Sequence, residues 1–210
     1  MHDKRDFDAH AATWDGNPSR VKLAREISTA MTSSIEIRKD MDALDFGCGT
    51  GLVTLALLPL ARTVTGIDSS RGMPEALDRK IAAAGLRNIK TAFYDADSGE
   101  PVPGRYHVAV SSMTFHHVRD TEALLRRLHE ALHPGGTLCV ADLDPDEGLF
   151  HADNTGVFYF GFERDRMREL FRQTGFGNVR ALTAAEVTRP VAGGGTRSFS
   201  IFLIIGEKHH

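Results

Sequence analysis

Three closely spaced glycines and one acid form the most informative chemical pattern in the sequence: Asp45, Gly47, Gly49 and Gly51. They leave a predicted strand and enter a predicted helix, where glycines let the backbone turn sharply and let a ligand lie directly on it. A dinucleotide-binding loop would need a third glycine at position 52, which is leucine, and no Gly-Lys-Ser/Thr follows as in a Walker loop. Asp45 would repel a pyrophosphate but can accept from an ammonium or a hydroxyl. The loop therefore favours a nucleoside-type ligand, with a tight packing turn as the alternative.

Carboxylates follow the next two predicted strands. Asp68 ends the segment 63–68, beside the glycine loop, where it can accept from both hydroxyls of a ribose. Its alternative role is to cap the helix that follows. Asp95, Ala96 and Asp97 come directly after the third strand, where backbone amides and a carboxylate can border an adenine ring. The pattern predicts three sides of one nucleoside site.

A histidine pair, His116 and His117, follows the fourth predicted strand. An imidazole has an ordinary pKa near 6.5, which suits a general base, so either residue could accept a proton from a substrate. The equal alternative is structural, with one ring packed on the sheet and the other capping a helix. A metal site is disfavoured, because adjacent side chains diverge on most backbones and no third ligand has an obvious spacing.

Composition narrows the class of partner. The chain has 210 residues with a net charge of −3, which favours one compact domain without a large basic face. We therefore expect no nucleic acid and no membrane as partners, and a monomer or homodimer. Two lone cysteines, Cys48 and Cys139, together with a polar start that lacks a secretory signal, indicate a cytoplasmic protein.

The elements that must position these groups alternate between strands and helices. Ser70 and Asp120 stand where they can cap two of the intervening helices. Such alternation predicts an α/β fold with a doubly wound, mostly parallel sheet, which binds its ligand at the carboxyl ends of the strands. The predicted strands cover residues 42–47, 63–68, 89–94, 106–112 and 136–142.

The two ends of the chain depart from this alternation. Residues 1–38 have helical spacing and would form a cap, whereas residues 144–160 have no clear period and form a candidate substrate loop. Near the C-terminus, the strand-like runs 178–187 and 198–205 flank three glycines at 193–195, which predicts an antiparallel hairpin. We expect all 210 residues to form a single domain.

The chain resembles the class I S-adenosylmethionine-dependent methyltransferases, most closely the small-molecule enzymes of the ubiquinone-biosynthesis type. The Asp45–Gly51 loop, Asp68, Asp95 and a Pro-Gly-Gly turn at 134–136 carry the resemblance, which covers residues 40–143. It implies a Rossmann-like methyltransferase fold of seven strands with the last one antiparallel, and an N-terminal helical cap. It also implies S-adenosylmethionine as cofactor and S-adenosylhomocysteine as product; we expect no metal.

The resemblance further implies roles for individual residues. The catalytic candidates remain His116 and His117, and the cap and the loop contribute Trp14, His151 and Tyr159 as substrate candidates. Cys48 is a spectator in the loop rather than a nucleophile. The expected cofactor contacts are Asp45, Gly47, Cys48, Gly49, Gly51, Asp68, Ser69, Met73, Asp95, Ala96, Asp97, Ser111 and Ser112.

The predicted reaction is methyl transfer to a small-molecule acceptor by in-line displacement, with an O, N, S or C nucleophile. DNA amino-methyltransferases carry an Asn/Asp-Pro-Pro-aromatic motif after the fourth strand, whereas residues 111–115 here are Ser-Ser-Met-Thr-Phe. This difference argues against adenine N6 and glutamine as acceptors. Two other classes compete with this prediction. A non-catalytic cofactor-binding sensor or partner-binding domain would keep the same motifs, and the glycine spacing argues against a nicotinamide-dependent oxidoreductase.

Overall fold

One seven-stranded sheet organises the protein, for which a computed structural model describes residues 7–191 and 194–209. Its strand order is β3-β2-β1-β4-β5-β7-β6, with β1 to β5 parallel and β7 antiparallel to both of its neighbours. The expected fold class is therefore confirmed. The strands are Asp42–Phe46 (β1), Thr63–Asp68 (β2), Ile89–Phe93 (β3), Tyr106–Ser112 (β4), Leu132–Leu143 (β5), Phe176–Pro190 (β6) and Thr196–Lys208 (β7).

One α-helix precedes the sheet, and the other α-helices lie between strands. Asn17 caps α1, its side chain accepting from two backbone amides, and Pro18 occupies the first turn, where its missing N–H costs nothing. Asp120 caps α4 through the amide of Ala123. The α-helices are Pro18–Ser34 (α1), Leu52–Leu57 (α2), Gly72–Ala84 (α3), Thr121–Ala131 (α4) and Arg164–Gln173 (α5), and 3₁₀ helices cover Asp8–Gly16 and Phe115–His117.

The core lies on both faces of the sheet. On one face α1 inserts Ile27 and Met31, which are fully buried, against the central strands. On the other face α4 contributes Leu124 and Leu128, and α5 contributes Phe171. Each such side chain stabilises the fold by about 1.5–3 kcal/mol relative to an exposed one. The central strands are buried on both sides, as parallel strands generally are.

Strand β5 begins earlier than the sequence predicts. The strand was expected from residue 136, but Leu132 already pairs with Tyr106, and the register shifts before Thr137 pairs with Val108. The Pro-Gly-Gly segment is therefore an irregularity inside the strand rather than a turn ahead of it, because burial of Leu132 holds the chain against β4.

The C-terminal hairpin is longer than expected. Both strands extend beyond the apolar runs, and pairing continues out to Pro190 with Thr196. The predicted glycine turn is described only in part, because Gly193 lies outside the described residues.

The topology also places a binding crevice. β1 pairs with β2 on one side and with β4 on the other, so the chain reverses its direction of winding at β1. In an open α/β sheet, the crevice at the carboxyl ends of strands around such a switch point is the usual ligand site.

Across the described part of the chain, no helix is both long enough and apolar enough to cross a bilayer.

Candidate active site

A cavity of about 340 Å³ opens at this switch point. Its floor is formed by the ends of β1, β2 and β4, and its roof by the N-terminal 3₁₀ helix, α1 and the loop 144–160. The volume falls within the range of small-molecule sites. The two segments outside the regular alternation therefore border the same space as the glycine loop.

The three loop glycines share a left-handed backbone conformation but differ in what surrounds them. All have positive φ angles, and a Cβ on Gly47 would lie 2.2 Å from Thr114 Oγ1, while one on Gly51 would lie 2.3 Å from Leu77. Close packing is therefore a second reason for glycine at Gly47 and Gly51, in addition to the positive φ. Among residues 7–191 and 194–209, no atom lies within 4 Å of a Cβ built on Gly49. Because Gly49 lines the cavity, its bare backbone leaves open space where a ligand can approach.

Asp45 is a buried acid beneath this loop. Its carboxylate accepts from the Thr54 hydroxyl at 2.6 Å, and the side chain is 1% exposed. Burial raises the pKa of Asp45 to about 7, and the nearby charge of Asp68 adds to the increase. A cation placed beside Asp45 would stabilise its ionised form.

Asp68 ties the glycine loop to the end of β2. Gly49 N–H donates to one carboxylate oxygen at 2.8 Å, and Ser70 N–H donates to the other at 2.9 Å. Burial raises the pKa of Asp68, while these amides oppose the increase. Asp68 does not cap α3, since that helix begins at Gly72 and Ser70 Oγ accepts from its Met73 amide at 3.2 Å. A carboxylate has about four lone-pair sites, so Asp68 keeps capacity for further donors.

The N-terminal 3₁₀ helix is clamped over this floor. Asp8 accepts from the Ser70 hydroxyl and from Gly72 N–H, the latter at 2.8 Å. The Ser70 hydrogen bond lowers the pKa of Asp8, followed by the effect of the Gly72 amide. Further along, Asp15 accepts from the Thr50 hydroxyl at 2.6 Å. The cap is thus attached to the two loops that carry Gly49 and Asp68.

A second acidic stretch borders the far side of the cavity. Asp95, Ala96 and Asp97 line it together with the buried ring of Tyr94. Arg127 fixes this turn from below by donating to Ala96 O at 2.6 Å. The arrangement offers a flat apolar surface edged by carboxylates.

The other half of the cavity is built around His116, which is 1% exposed. Its Nδ1 lies 2.7 Å from a carboxylate oxygen of Asp142, at the end of β5. Asp142 also accepts from Leu143 N–H at 2.7 Å and from His116 N–H at 3.3 Å. Because a carboxylate only accepts, Nδ1 of His116 carries the hydrogen of the bond to Asp142.

Two more histidines converge on His116. The Nε2 atoms of His151 and His116 are 3.1 Å apart, and the ring of His117 lies 4.1 Å from that of His116, between centroids. His117 Nδ1 donates to the carbonyl of Gly156 at 2.7 Å. The expectation that adjacent histidines diverge and lack a third partner is wrong, because the loop 144–160 folds back and brings His151 to them.

Aromatic rings and two guanidinium groups complete the walls. Phe150 and Phe158 come from the loop 144–160, and Trp14 comes from the cap. Arg189 lies over Phe150 at 3.9 Å, and Arg20 lies over Trp14 at 4.0 Å, in both cases from the guanidinium carbon to the ring centroid. Burial lowers the pKa of Arg189, and the charge of Arg20 adds to this. The cavity therefore has an acidic end and a basic, aromatic end.

Three of the sequence candidates do not reach the cavity. Gly51 is the residue before α2 and packs on Leu77. Ser111 is buried, with its hydroxyl donating to Phe46 O at 2.9 Å. Tyr159 turns away and donates to Arg119 O at 2.8 Å, while its neighbour Phe158 lines the space.

The remaining candidates do line the cavity. Cys48 does so as a buried thiol whose pKa is raised by burial, which is unlike an activated nucleophile. Sequence reasoning assigned no role to Asp142, Phe150 or Arg189, although Asp142 stood at a predicted strand end. The candidates brought together are Trp14, Asp45, Gly47, Cys48, Gly49, Asp68, Ser69, Met73, Asp95, Ala96, Asp97, Ser112, His116, His117 and His151.

Comparison with known proteins gives one consistent family. A family model described as "Methyltransferase domain" matches residues 19–181. An uncharacterized methyltransferase of Schizosaccharomyces pombe is 29% identical over 164 residues, covering 71% of this chain and 58% of the relative. A ubiquinone biosynthesis O-methyltransferase of Pseudomonas aeruginosa is 26% identical over 148 residues, covering 66% of this chain and 61% of the relative. The chain therefore spans less than two thirds of the length of either relative.

Solved structures agree on the fold. In the Haloferax volcanii complex between the Trm112 methyltransferase activator and a methyltransferase, the matched chain superposes with a TM-score of 0.75. The two share 18% sequence identity, with 98% of this chain and 99% of the other covered. At that identity the likeness concerns the arrangement of strands and helices.

Proposed function

The chain belongs to the class I S-adenosylmethionine-dependent methyltransferases, and we propose that it methylates a hydroxyl group of a small aromatic acceptor. One observation carries this proposal. The His116–Asp142 pair lies in the same cavity as the open backbone of Gly49 and the carboxylate of Asp68. A proton acceptor thus stands beside a nucleoside-type site.

The residues at the acidic end fit the cofactor of this family. S-adenosylmethionine carries an ammonium and a sulfonium, and its bound sulfonium supplies an electrophilic methyl group. Asp45 would accept from the ammonium, Asp68 would use its spare lone pairs on the ribose hydroxyls, and the Asp95–Asp97 turn would border the adenine. The free space above Gly49 supports this assignment, because a side chain there would fill it.

The basic end favours an aromatic acceptor with an anionic group. Phe150, Phe158 and Trp14 offer apolar ring faces, and Arg20 and Arg189 provide positive charge near them. A guanidinium pairs well with a carboxylate through two parallel hydrogen bonds. A hydroxybenzoate-like molecule satisfies both features.

His116 would act as the general base in the metal-free protein. Its Nδ1–H is held by Asp142, so its Nε2 lone pair can take the acceptor's hydroxyl proton. The resulting oxygen anion would face the methyl group that the cofactor supplies, so that the C–O bond would form in line as the C–S bond breaks and its electron pair returns to sulfur. Asp142 then stabilises the imidazolium. The walls from the cap and the loop would exclude water during transfer.

We further propose that residues 1–210 act as one methyltransferase domain. The cap contacts that support this are the hydrogen bonds that Asp8 accepts from Gly72 N–H and that Asp15 accepts from the Thr50 hydroxyl. In this view the segment 144–160 is the substrate loop, which is joined to the site because Phe158 N–H donates to His116 O at 2.9 Å.

The test is transfer of a labelled methyl group from S-adenosylmethionine to a panel of hydroxybenzoates and catechols. His116→Asn should lower kcat by about 10²- to 10⁴-fold, the usual contribution of a general base, while cofactor affinity stays unchanged. His133→Asn is the matched control, because His133 pairs with His107 outside the cavity. Equal turnover by both variants would refute the base assignment. Cofactor binding with no methylated product from any hydroxyl compound would favour a sensor domain instead.

A further inference from the structure

We propose that His116, His117 and His151 form a binding site for a divalent transition-metal ion of the zinc type, at the acceptor end of the cavity. The binding of the ion follows from these three side chains alone. Its role in catalysis rests on the proposed function.

The spacing of the nitrogen atoms suits one ion. Each histidine offers a ring nitrogen, and the three ligand atoms lie within 4.8 Å of one another. A tetrahedral ion with bonds of about 2.0–2.1 Å places its ligand nitrogens about 3.3 Å apart. The 3.1 Å between Nε2 of His116 and Nε2 of His151 is close to that value. The ligand nitrogen of His117 lies within 4.8 Å of the other two.

The hydrogen bonds behind the rings prepare them as ligands. Metal-binding histidines commonly donate their second N–H to a carboxylate or a carbonyl, which fixes the tautomer and the ring orientation. His116 donates to the buried carboxylate of Asp142, and His117 donates to the carbonyl of Gly156. In both rings Nε2 is therefore the nitrogen that would bind the ion. The negative charge of Asp142 also offsets part of the ion's charge.

The ligand types indicate which ion would bind. Three imidazoles without a carboxylate suit zinc, cobalt or nickel, whereas magnesium and calcium prefer oxygen ligands. Three protein ligands leave a fourth position, as in catalytic rather than structural zinc sites. All three histidines line the cavity, so that position is available to an oxygen atom of a bound acceptor.

This arrangement would change how the acceptor is activated. The lone pair of His116 Nε2 binds the ion instead of accepting a proton. The acceptor's hydroxyl oxygen coordinates the ion, and its proton leaves to water, which generates a bound oxygen anion. That oxygen then attacks the methyl carbon, the C–O bond forms, and the electron pair of the C–S bond returns to sulfur. A phenol is the substrate class that this site favours, because one hydroxyl oxygen fills the one open position.

Cobalt titration of the full chain tests the site directly. After removal of bound metals with a chelator, one equivalent of Co²⁺ should produce the visible d–d absorption of a four-coordinate site, and zinc should displace it. His151→Ala and His117→Ala should each abolish this absorption, with folding checked by circular dichroism. Asp142→Asn should weaken cobalt binding by about 10- to 100-fold, because it orients a ligand.

The control is His133→Ala, which removes a histidine outside the cavity and should leave the absorption unchanged. His209 and His210 are present in every variant, so weak binding at the C-terminus does not distinguish them. Absorption that persists in folded His151→Ala protein, or that never forms in the parent, would overturn the proposal.

A second measurement separates the site from the reaction. Methyl transfer to a catechol should fall at least about tenfold in chelated protein and return with one equivalent of zinc. Equal rates with and without zinc, despite cobalt binding, would overturn the catalytic role. Absence of transfer in both forms, with cobalt bound as expected, would contradict the proposed function instead.

Discussion

Replacing Asp45 with asparagine should stabilise the cofactor-free protein at alkaline pH while it weakens cofactor binding. Asp45 is fully buried and its pKa is raised to about 7. Because the folded-state pKa lies above the unfolded value of 3.8, folding favours the protonated acid. The free energy of unfolding therefore decreases as the pH rises from about 4 to 7, and the full cost of the charged form is present above pH 7.

The size of the effect follows from the pKa difference. One pKa unit corresponds to 1.36 kcal/mol, so the ionised carboxylate costs the fold at most about 4 kcal/mol at pH 8. At pH 5 the cost is less than half as large. The substituted asparagine would be neutral at every pH, and its amide oxygen could still accept from the Thr54 hydroxyl. The Asp45→Asn variant should therefore gain up to about 4 kcal/mol at pH 8, and clearly less at pH 5.

Asp42 on the same strand provides a control of opposite sign. Its hydrogen bond to Arg62 lowers the pKa of Asp42, so the ionised form stabilises the fold above pH 4 and this contribution is lost in acid. The free energy of unfolding of the cofactor-free protein is measured with urea at pH 5 and pH 8. At pH 8 it should be higher than that of the parent for Asp45→Asn and lower for Asp42→Asn. A destabilised Asp45→Asn protein at pH 8 would refute the reasoning about a buried charge.

Four further outcomes are expected. Affinity of the parent for S-adenosylmethionine, measured by calorimetry, should fall roughly tenfold from pH 7.5 to 6 as Asp45 gains a proton; a flat profile would contradict its role. Asp68→Asn should weaken cofactor binding by about 1.5–3 kcal/mol. Unchanged affinity would mean that Asp68 only holds the two loops together and does not contact the cofactor. Gly47→Ala should lower the melting temperature more than Gly49→Ala, whose main effect should be lost cofactor binding; the reverse order would contradict the packing argument. Deleting residues 1–16 should abolish methyl transfer but retain the circular dichroism of the sheet, and normal turnover would exclude the cap from the site.

The glycine loop and Asp68 could be predicted from the sequence because local chemistry determines them. A parallel sheet brings the carboxyl ends of adjacent strands to one edge, so the position of Gly49 along the chain already placed it near Asp68. The bounds of β2 and β4 followed from their apolar runs. The start of β5 did not, because pairing of Leu132 with a neighbouring strand overrode the local Pro-Gly-Gly signal.

The acceptor end could not be predicted because it depends on loop folding. Asp146 accepts from Gly148 N–H at 3.1 Å and from Phe150 N–H at 2.8 Å, which bends the loop and directs His151 to His116. No periodicity encodes such a bend. Arg189 arrives from β6, an edge strand far along the chain, and only the tertiary fold brings it over Phe150.

Titration calorimetry with S-adenosylmethionine, S-adenosylhomocysteine and NAD⁺ tests the central claim most directly. The acidic pair Asp45 and Asp68 beneath an open Gly49 should bind both methionine nucleosides with one-to-one stoichiometry and reject the pyrophosphate of NAD⁺. Comparable binding of NAD⁺, or no heat with either methionine nucleoside, would contradict the account.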